Sequence, residues 1–305
     1  MKNKIKMLIN NPQLVLQFIL NRSIFKYMND ENFIKLKYRI MTGKKLNLEN
    51  PQTFNEKLQW LKLYNRNREY TKLVDKFSAR NFVKHTIGEK YLNEIFGVYN
   101  SYDEINFDLL PEQFVLKPTH ASGNYYICKD KSKINHKELK KTVNIWMNRN
   151  YYLLHREWPY KNVKPRILAE KFLESKDGSP LVDYRFLCFN GDPKIIFTDL
   201  SMTDKSNTRR NIYNLNWNLL DYRITYPIDY NINLTKPKNL NEMINLSRRL
   251  SKDIPHVRVD FYNIDGKIIF SEMTFFHQSG YGKFYQDEFA EEMGAWINLP
   301  SKKEE

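Results

Sequence analysis

Cysteine and long apolar runs are both scarce in this 305-residue sequence. Only Cys128 and Cys188 are present, each inside an apolar run and neither with metal-ligand spacing, so we expect no disulfide framework and a reducing compartment. No run is long enough to span a bilayer, which takes about 20 apolar residues. Glycine is sparse as well. The ten glycines include no Gly-Lys-Ser/Thr triplet and no complete Rossmann fingerprint, which argues against a P-loop or dinucleotide-binding enzyme.

Acidic residues are too few to balance the basic ones. The chain has 49 Lys and Arg against 35 Asp and Glu, a formal net charge of +14, and about half of the excess falls within residues 1–50. Such a surplus attracts phosphorylated substrates, anionic lipid surfaces or other polyanions. Because no zinc-finger spacing and no aromatic ribonucleoprotein motif accompanies the charge, we expect no nucleic-acid partner. The length suits two or three folded lobes.

The N-terminal region combines lysines with short apolar segments. Lys2, Lys4 and Lys6 precede Leu14–Leu20, but the apolar stretch is too short and interrupted for a signal peptide. We therefore expect a cytoplasmic protein whose first helices are basic and amphipathic. Packing of these helices against the rest of the protein is the favoured role, and peripheral contact with the inner face of a membrane is the alternative.

Helical periodicity and capping residues predict several helices. Between Glu31 and Tyr64 the pattern is interrupted at Thr42-Gly43 and Asn50-Pro51, which gives two helices, and Thr53 is a suitable N-cap for the second. Three more helices are expected at residues 73–85, 135–148 and 239–252.

The stretch Val257–Thr274 predicts a β-hairpin around which the candidate site is organised. Apolar and polar residues alternate in its first half, the pattern of a half-buried strand, and Asp265-Gly266 is a preferred hairpin turn. Alternation in the returning strand places Phe270, Glu272 and Thr274 on one face.

Pairing about this turn brings charged side chains of both strands together. Arg258 and Asp260 then lie beside Glu272 and Thr274, so a guanidinium, two carboxylates and a hydroxyl share a small patch. Adjacent carboxylates repel and are stable only with a cation between them, and oxygen ligands of this kind suit Mg²⁺. The alternative is an edge hairpin whose charges are solvated.

A strand, a small-residue loop and a second strand are predicted within Phe114–Cys128. Lys117 ends the first strand, and residues 119–124 form a loop whose backbone amides could approach phosphate oxygens while the lysine neutralises them. The alternative is an ordinary hairpin with a lysine at its rim.

A later apolar strand, Ile167–Leu173, carries Glu170, which could accept a hydrogen bond from an adenine amine. Solvated charges at a strand end are the alternative there.

Taken in order, these motifs resemble the ATP-grasp family and, within it, the TupA-like branch associated with teichuronopeptide and other cell-surface polysaccharide synthesis. The likeness covers roughly residues 50–284 and is carried by Asp75-Lys76, Phe114–Gly123, Glu170–Leu173, Arg258-x-Asp260, Glu272-x-Thr274 and the phrases Arg156–Asn162, Phe189–Gly191 and Asn216–Leu220. The resemblance implies an α+β fold, with two α+β lobes that grip ATP and an N-terminal helical region.

The resemblance also divides the chain into segments. Residues 1–72 would be the basic helical region, 73–113 a central segment, 114–189 the small lobe, and 190–305 the C-terminal lobe with the metal hairpin.

Roles for individual residues follow from the same resemblance. The residues that it assigns to ATP are Lys76, Lys117, His120, Ala121, Ser122, Gly123, Glu170, Lys171, Leu173 and Asp183. Asp260, Glu272 and Thr274 would bind Mg²⁺, and Arg258, with Lys117, would stabilise the phosphorylated intermediate.

Two features of the sequence depart from the family pattern. Thr274 stands where Asn is common, and Phe275–Gly280 replaces a more glycine-rich acceptor loop.

Enzymes of this family generally convert a carboxylate to an acyl phosphate, which an amine then turns into an amide. We therefore expect an ATP-dependent carboxylate–amine ligase that joins an amino acid to a uronic acid, or a related carboxylate, of a capsule or cell-wall glycan. Tyr151–Tyr160 and His277–Tyr285 are the expected acceptor loops. Two alternatives are a glycosyltransferase, which the absence of an Asp-x-Asp triplet disfavours, and a non-catalytic protein that binds a nucleotide or polyanion.

Overall fold

The computed structural model describes residues 23–200, 208–232 and 234–302. The expectation of basic amphipathic helices in the first 22 residues lies outside this part of the chain. The α-helices are α1 (Asp30–Thr42), α2 (Phe54–Tyr64), α3 (Glu69–Val74), α4 (Ala79–Thr86), α5 (His136–Met147), α6 (Tyr152–His155), α7 (Leu240–Leu250) and α8 (Asp287–Ala295). The strands are β1 (Ile95–Tyr99), β2 (Phe114–Pro118), β3 (Tyr126–Cys128), β4 (Ile167–Lys171), β5 (Asp183–Phe189), β6 (Asp192–Leu200), β7 (Arg209–Asn214), β8 (Leu219–Leu220), β9 (His256–Ile264) and β10 (Lys267–Thr274).

Helices and antiparallel sheets together confirm the predicted α+β class. Among the helices described, none combines the length and the apolar character that crossing a membrane requires.

Local sequence signals set the ends of α1 and α2. The Asn29 side chain caps α1 by accepting a hydrogen bond from the Asn32 N–H at 2.8 Å. Gly43, with a φ of 75°, ends the helix in the left-handed conformation that glycine adopts without strain. Thr53 and Glu56 form a reciprocal capping box at the start of α2, which confirms the predicted N-cap.

The single helix predicted for residues 73–85 is wrong, because Asp75 divides it. Asp75 takes an extended conformation between α3 and α4, and its carboxylate accepts a hydrogen bond from the Ser78 hydroxyl at 2.8 Å. Aspartate side chains compete in this way with helical hydrogen bonds. The break frees the backbone of Lys76, whose N–H donates to the carbonyl of Thr119 at 3.1 Å.

The smaller sheet has the strand order β1-β4-β2-β3, with antiparallel neighbours. One face packs against α5 and forms a core of its own, which includes Phe114, Leu116, Ile167, Ala169, Leu139 and Val143. Since side chains alternate along a strand, the opposite face carries Lys117, Leu168 and Glu170.

The larger sheet has the order β10-β9-β5-β6-β7-β8, and α7 packs on β5, β6 and β9. Strand register places polar residues of neighbouring strands directly opposite one another. The opposed pairs are Thr274 with Arg258, Glu272 with Asp260, Asp260 with Arg185, Tyr262 with Asp183, Asp183 with Asp199, and Asp199 with Arg210. Opposed residues share a face, so charged side chains from five strands lie together on one side of the sheet.

The hairpin of β9 and β10 has the predicted turn, but Phe270 lies on the other face of the sheet from the one predicted. The turn residues Asp265 and Gly266 have φ values of 50° and 82°, as in a type I′ turn. Ser271 is then an extra residue in the ladder, so Phe270 is opposite Phe261 whereas Glu272 is opposite Asp260. The expectation that Phe270 and Glu272 share a face is therefore wrong, because this β-bulge shifts the alternation by one residue.

The predicted segment limits stay a prediction, and the sheets divide the chain differently in two places. β1, from segment 73–113, pairs with β4 in the smaller sheet. β5, from segment 114–189, pairs with β6 and β9 in the larger sheet.

Candidate active site

A cleft between the two sheets brings their polar faces together. The smaller sheet contributes Lys117, Leu168 and Glu170, and the larger sheet contributes Tyr262, Phe270 and Ser271. Lys76, from the break between α3 and α4, lines the same cleft.

The predicted metal patch forms on the larger sheet. Arg258 Nε lies 2.7 and 3.0 Å from the two oxygens of Asp260, and Arg258 Nη2 lies 3.1 Å from Glu272 Oε1. Thr274 Oγ1 donates to the same Glu272 oxygen at 3.2 Å. The structure thus brings together all four residues that the hairpin pattern predicted to be neighbours.

Burial and charge act in opposite directions on the two carboxylates of the patch. Burial raises the pKa of Asp260 above its ordinary value, although the guanidinium of Arg258 opposes the shift. Burial also raises the pKa of Glu272, but the charges of Lys76 and Arg258 outweigh it and the net shift of the pKa is downward. A cation next to these oxygens would favour the ionised form of both.

The two predicted phosphate-binding lysines reach the cleft from opposite sides. Lys76 Nζ donates to the carbonyl of Ala121 at 2.6 Å and lies 3.7 Å from Glu272 Oε2. Lys117 Nζ lies 2.5 Å from Glu170 Oε1, on the face of the smaller sheet that lines the cleft. Burial lowers the pKa of Lys76, although the nearby Glu272 opposes the shift.

A second layer of ion pairs extends the patch across the sheet. The site prediction included Asp183 of this layer but missed Arg185, Asp199 and Arg210. Arg185 pairs with Asp183 at 2.7 Å and also contacts Asp199, which in turn pairs with Arg210 at 2.6 Å. Burial alone would raise the pKa of Asp199, but the two arginines lower it to about 2. A sequence signal existed: Asp183-x-Arg185 has the period-2 spacing of the patch residues on β9.

His277 connects this layer to the patch. Its Nδ1 lies 3.0 Å from Arg258 Nη1 and its Nε2 lies 3.2 Å from Arg210 Nη1. Burial, followed by the two arginine charges, lowers its pKa well below the ordinary value. A neutral imidazole has one acceptor nitrogen, so His277 can accept a hydrogen bond from one of the two guanidinium groups at a time.

The apolar end of the cleft has the composition of a nucleobase site. Leu168, Leu173 and Phe270 line it beside the carboxylate of Glu170. Two further residues there, Arg80 and Asn93, were not predicted. They close its edge, because Arg80 Nη2 donates to the carbonyl of Asn93 at 2.7 Å and Asn93 Nδ2 donates to the carbonyl of Lys171 at 2.9 Å.

The structure does not bring the Lys171 side chain into the cleft. The side chain is 56% exposed and its nitrogen lies 3.5 Å from Glu94 Oε2. The Lys171 N–H donates to the carbonyl of Glu94, so only its carbonyl, already shared with Asn93, remains for a ligand.

The small-residue loop between β2 and β3 presents its backbone rather than its first side chain. His120 is buried, and its Nε2 lies 3.0 Å from the Trp146 carbonyl on α5, so the imidazole points into the smaller lobe. Burial lowers its pKa. Ala121 is buried and Gly123 is exposed with a φ of 76°, a conformation that favours glycine. Ser122 lowers the pKa of the Tyr151 phenol, against the larger effect of burial.

Asp183 has an oxygen suited to a ligand hydroxyl. Its Oδ2 accepts two hydrogen bonds from Arg185, at 2.7 and 2.9 Å. Its Oδ1 is buried and has no hydrogen-bond partner among the described residues. An unsatisfied buried acceptor is costly, and a ribose hydroxyl would satisfy it.

The donor set fits a divalent ion that takes most of its ligands from elsewhere. Within residues 23–200, 208–232 and 234–302, no group of three or more His, Cys, Asp or Glu side chains could enclose a metal. Asp260 and Glu272 supply two carboxylates. Mg²⁺ is suited to such a site because it commonly keeps waters and binds substrate phosphates besides one or two carboxylates.

The two expected acceptor loops meet next to this patch. Ser279 Oγ donates to Glu157 Oε1 at 2.5 Å. Gln59 and Lys62 of α2 hold the second loop from behind: both donate to the Ser279 carbonyl, at 3.1 and 2.7 Å, and Gln59 also donates to the Gly280 carbonyl at 2.7 Å. Neither α2 residue was predicted, because α2 reads as a packing helix from its periodicity alone.

An α+β fold with two antiparallel sheets around a cleft of lysines, arginines and paired carboxylates is that of a nucleotide-dependent enzyme. The sequence profile of the family described as TupA-like ATPgrasp matches residues 56–298, which is most of the chain. The chain therefore belongs to the TupA-like ATP-grasp family, and the predicted family and fold are confirmed. None of the curated proteins compared with the chain matches it significantly.

Solved structures with similar backbones include other ATP-grasp proteins. D-alanine–D-alanine ligase from Bacillus anthracis, solved with ATP, is 18% identical with a TM-score of 0.38, over 66% of this chain and 54% of that one. The Helicobacter pylori D-alanine–D-alanine ligase is 16% identical with a TM-score of 0.40, over 81% and 69%. The ATP-grasp ligase PsnB, solved with a minimal precursor, Mg and ADP, is 10% identical with a TM-score of 0.37, over 72% and 57%. The chain thus spans little more than half the length of the first of these.

Proposed function

We propose that this protein is an ATP-dependent ligase that joins the amine of an amino acid to the carboxylate of a uronic acid, or a related sugar acid, in capsule or cell-wall polysaccharide synthesis. The observation that carries the proposal is that two lysines of the cleft, Lys76 and Lys117, adjoin a patch of two carboxylates and a guanidinium. Lys76 Nζ lies 3.7 Å from Glu272, and Arg258 contacts both Asp260 and Glu272. Such a set is suited to a metal-bound polyphosphate. Membership of a family associated with surface-polysaccharide synthesis supports the substrate class.

Bound ATP and Mg²⁺ would supply the phosphoryl group and the charge neutralisation that make a carboxylate electrophilic. Asp260 and Glu272 would hold the metal, with the Thr274 hydroxyl beside them. Lys76 and Lys117 would neutralise phosphate oxygens. Arg258, held by Asp260 and Glu272, would stabilise the charge that develops on the substrate carboxylate and the transferring phosphoryl group.

The remaining cleft residues would hold and shield the reactants. Leu168 and Leu173 would pack against adenine, with Glu170 as a hydrogen-bond acceptor, and Asp183 Oδ1 would accept a ribose hydroxyl. The backbone of residues 120–123 would cover the phosphates. Exclusion of water matters here because an acyl phosphate would otherwise be hydrolysed before the amine attacks.

Calorimetric titration with a non-hydrolysable ATP analogue and Mg²⁺, beside UDP-sugars, tests the nucleotide site. We expect metal-dependent binding of the ATP analogue that is lost in Lys117→Ala and Asp260→Asn. Lys194→Ala, which removes a half-exposed ion pair with Asp192, is the matched control and should bind normally. Binding of a UDP-sugar without binding of the ATP analogue would contradict the proposal and favour a glycosyltransferase.

Phosphate release tests the reaction. ATP, Mg²⁺, a uronic acid and a mixture of the twenty amino acids should together release phosphate and yield an amide detectable by mass. ATP turnover that persists at the wild-type rate in Asp260→Asn would count against the assigned site.

A further inference from the structure

The carboxylates of the cleft differ in whether a cation neutralises them. Five have a lysine or arginine nitrogen within ion-pairing distance: those of Asp183, Asp199, Asp260, Glu170 and Glu272. Glu157 differs, because its Oε1 accepts from the neutral hydroxyl of Ser279 and no lysine or arginine of the described residues lies within 4 Å of it. It is 4% exposed. A buried carboxylate in this state is suited to pair with a cation that a ligand brings.

Lys62, whose charge acts most strongly on Glu157, does not take that place. Its ammonium group donates to Ser279 O at 2.7 Å, Gln59 Oε1 at 2.9 Å and His155 O at 3.2 Å. Even a fully protonated ammonium group has only three hydrogens, so none remains for the carboxylate. Lys62 therefore positions the loop that contains Ser279, and the Glu157 carboxylate can pair with a cation that a ligand brings.

The contact with Ser279 places Glu157 beside the loop that borders the metal patch. Its partner Ser279 follows β10 shortly after Thr274 and His277, the residues that border the metal patch. The charges of Glu157 and of the metal patch both act on the Tyr160 phenol. Burial raises its pKa most, the carboxylates of Glu157 and Glu272 raise the pKa further, and Arg258 lowers it.

Ser279, the partner of Glu157, has an unfavourable backbone conformation that neighbouring side chains hold in place. Ser279 has a φ of 54°, in the left-handed region that is unfavourable for a serine. Lys62 and Gln59 hold its carbonyl in this conformation. Backbone strain that persists because neighbours enforce it is a common property of ligand-binding loops.

We propose that Glu157 binds the amine substrate as an ammonium ion and accepts its proton, an inference that rests on the ligase function proposed above. One N–H proton passes to the Glu157 carboxylate, and the freed lone pair forms the C–N bond to the acyl carbon. The C–O bond to phosphate breaks, and its electron pair leaves with the phosphate. A second N–H proton passes to the departing phosphate, and Glu157 returns its own proton to solvent.

A comparison of two nucleophiles separates this role from a structural one. Hydroxylamine is uncharged at neutral pH and needs neither an anionic partner nor a base, whereas an amino acid presents an ammonium group. The assay contains ATP, Mg²⁺ and glucuronate or galacturonate, with hydroxylamine or an equimolar mixture of the twenty amino acids. We expect Glu157→Gln to form the hydroxamate within threefold of the wild-type rate and to lose at least a hundredfold in amide formation.

Control variants and the contrary outcomes complete the test. Glu291→Gln, on the exposed side of α8, should leave both products unchanged. Amide formation retained by Glu157→Gln would overturn the proposal. Loss of both products, with normal binding of the ATP analogue, would overturn it in favour of a structural role for Glu157. Wild-type protein that forms hydroxamate but no amide would also overturn it, whereas wild-type protein that forms neither would contradict the ligase function itself.

Discussion

Lys62 links α2 to the loop that follows β10 by hydrogen bonds. Its replacement by methionine measures how much these bonds contribute to the free energy of unfolding. The side chain is 0% exposed and satisfies three acceptors. Methionine has a similar length but no donor, so the carbonyls of Ser279 and His155 and the amide oxygen of Gln59 each lose a hydrogen bond. The Ser279 carbonyl keeps its hydrogen bond from Gln59, so only the His155 carbonyl and the Gln59 amide oxygen lose this donor without replacement. A buried acceptor without a donor costs about 1–3 kcal/mol, and relief from burying an ammonium group offsets part of the sum. We expect Lys62→Met to lower the free energy of unfolding by about 2–4 kcal/mol.

The dependence of stability on pH gives an independent reading of the same residue. Burial lowers the pKa of Lys62 from 10.5 to about 7. Between these values the unfolded chain binds more protons at Lys62 than the folded protein does, so this residue makes the wild type more stable as pH rises from about 7 toward 10.5. Burial raises the pKa of Glu157, which has the opposite effect: its contribution to stability falls as pH rises above 4.5. The Lys62→Met variant should therefore lack the increase in stability that Lys62 gives the wild type as pH rises above about 7.

Urea unfolding at pH 7, 8 and 9, followed by tryptophan fluorescence, is the assay. Lys72→Met is the control, because Lys72 is 67% exposed on α3 and pairs only with a neighbouring glutamate, and its effect should stay within about 0.5 kcal/mol. A Lys62→Met variant within about 0.5 kcal/mol of the wild type, or one with an unchanged pH slope between pH 7 and 9, would refute the reasoning.

Three further predictions concern the loop, a helix cap and the nucleotide. Gly280→Ala should destabilise the protein by about 2–3 kcal/mol in urea unfolding, because Gly280 has a φ of 66° and an added Cβ would lie 2.4 Å from Gln59 Nε2; an unchanged midpoint would contradict this. Thr53→Ala removes the capping box with Glu56 and should cost about 1 kcal/mol by the same measurement, with Thr53→Ser, which keeps the acceptor, near the wild type. Wild-type protein should bind ATP more tightly than 2′,3′-dideoxy-ATP by about 1 kcal/mol, and Asp183→Ala should remove the difference; discrimination that survives in the variant would rule out a ribose contact at this residue.

Residues close together in the sequence could be assigned to their places correctly. Thr53 and Glu56 form the predicted cap, Asp265-Gly266 forms the predicted turn, and Arg258 meets Glu272 as hairpin pairing requires. In each case the contact depends on a few consecutive residues or on one hairpin. Local propensity and side-chain alternation are sufficient for such contacts.

The bulge at Ser271 shows where alternation alone fails. A strict period of two places Phe270 beside Glu272, but burying Phe270 against Phe261 while keeping Glu272 in the cleft requires one extra residue. The need for this residue comes from the sheet and the core together. Asp75 is similar, since its carboxylate also contacts Arg166, 91 residues away, and this contact helps to end α3.

The sequence by itself determined the hairpin within Val257–Thr274 with its turn, the strands within Phe114–Cys128 and Ile167–Leu173, the family, and the charged pairs within one hairpin, because these depend on short-range pattern. Only the tertiary structure decided which distant groups meet. The pairing of Asp199 with Arg210 follows from the register of β6 and β7. The contact of Glu157 with Ser279 joins residues 122 positions apart, and it exists because helix α2 holds their two loops against each other. Packing between elements that are remote in the chain selects such contacts, and no local property of either residue encodes them.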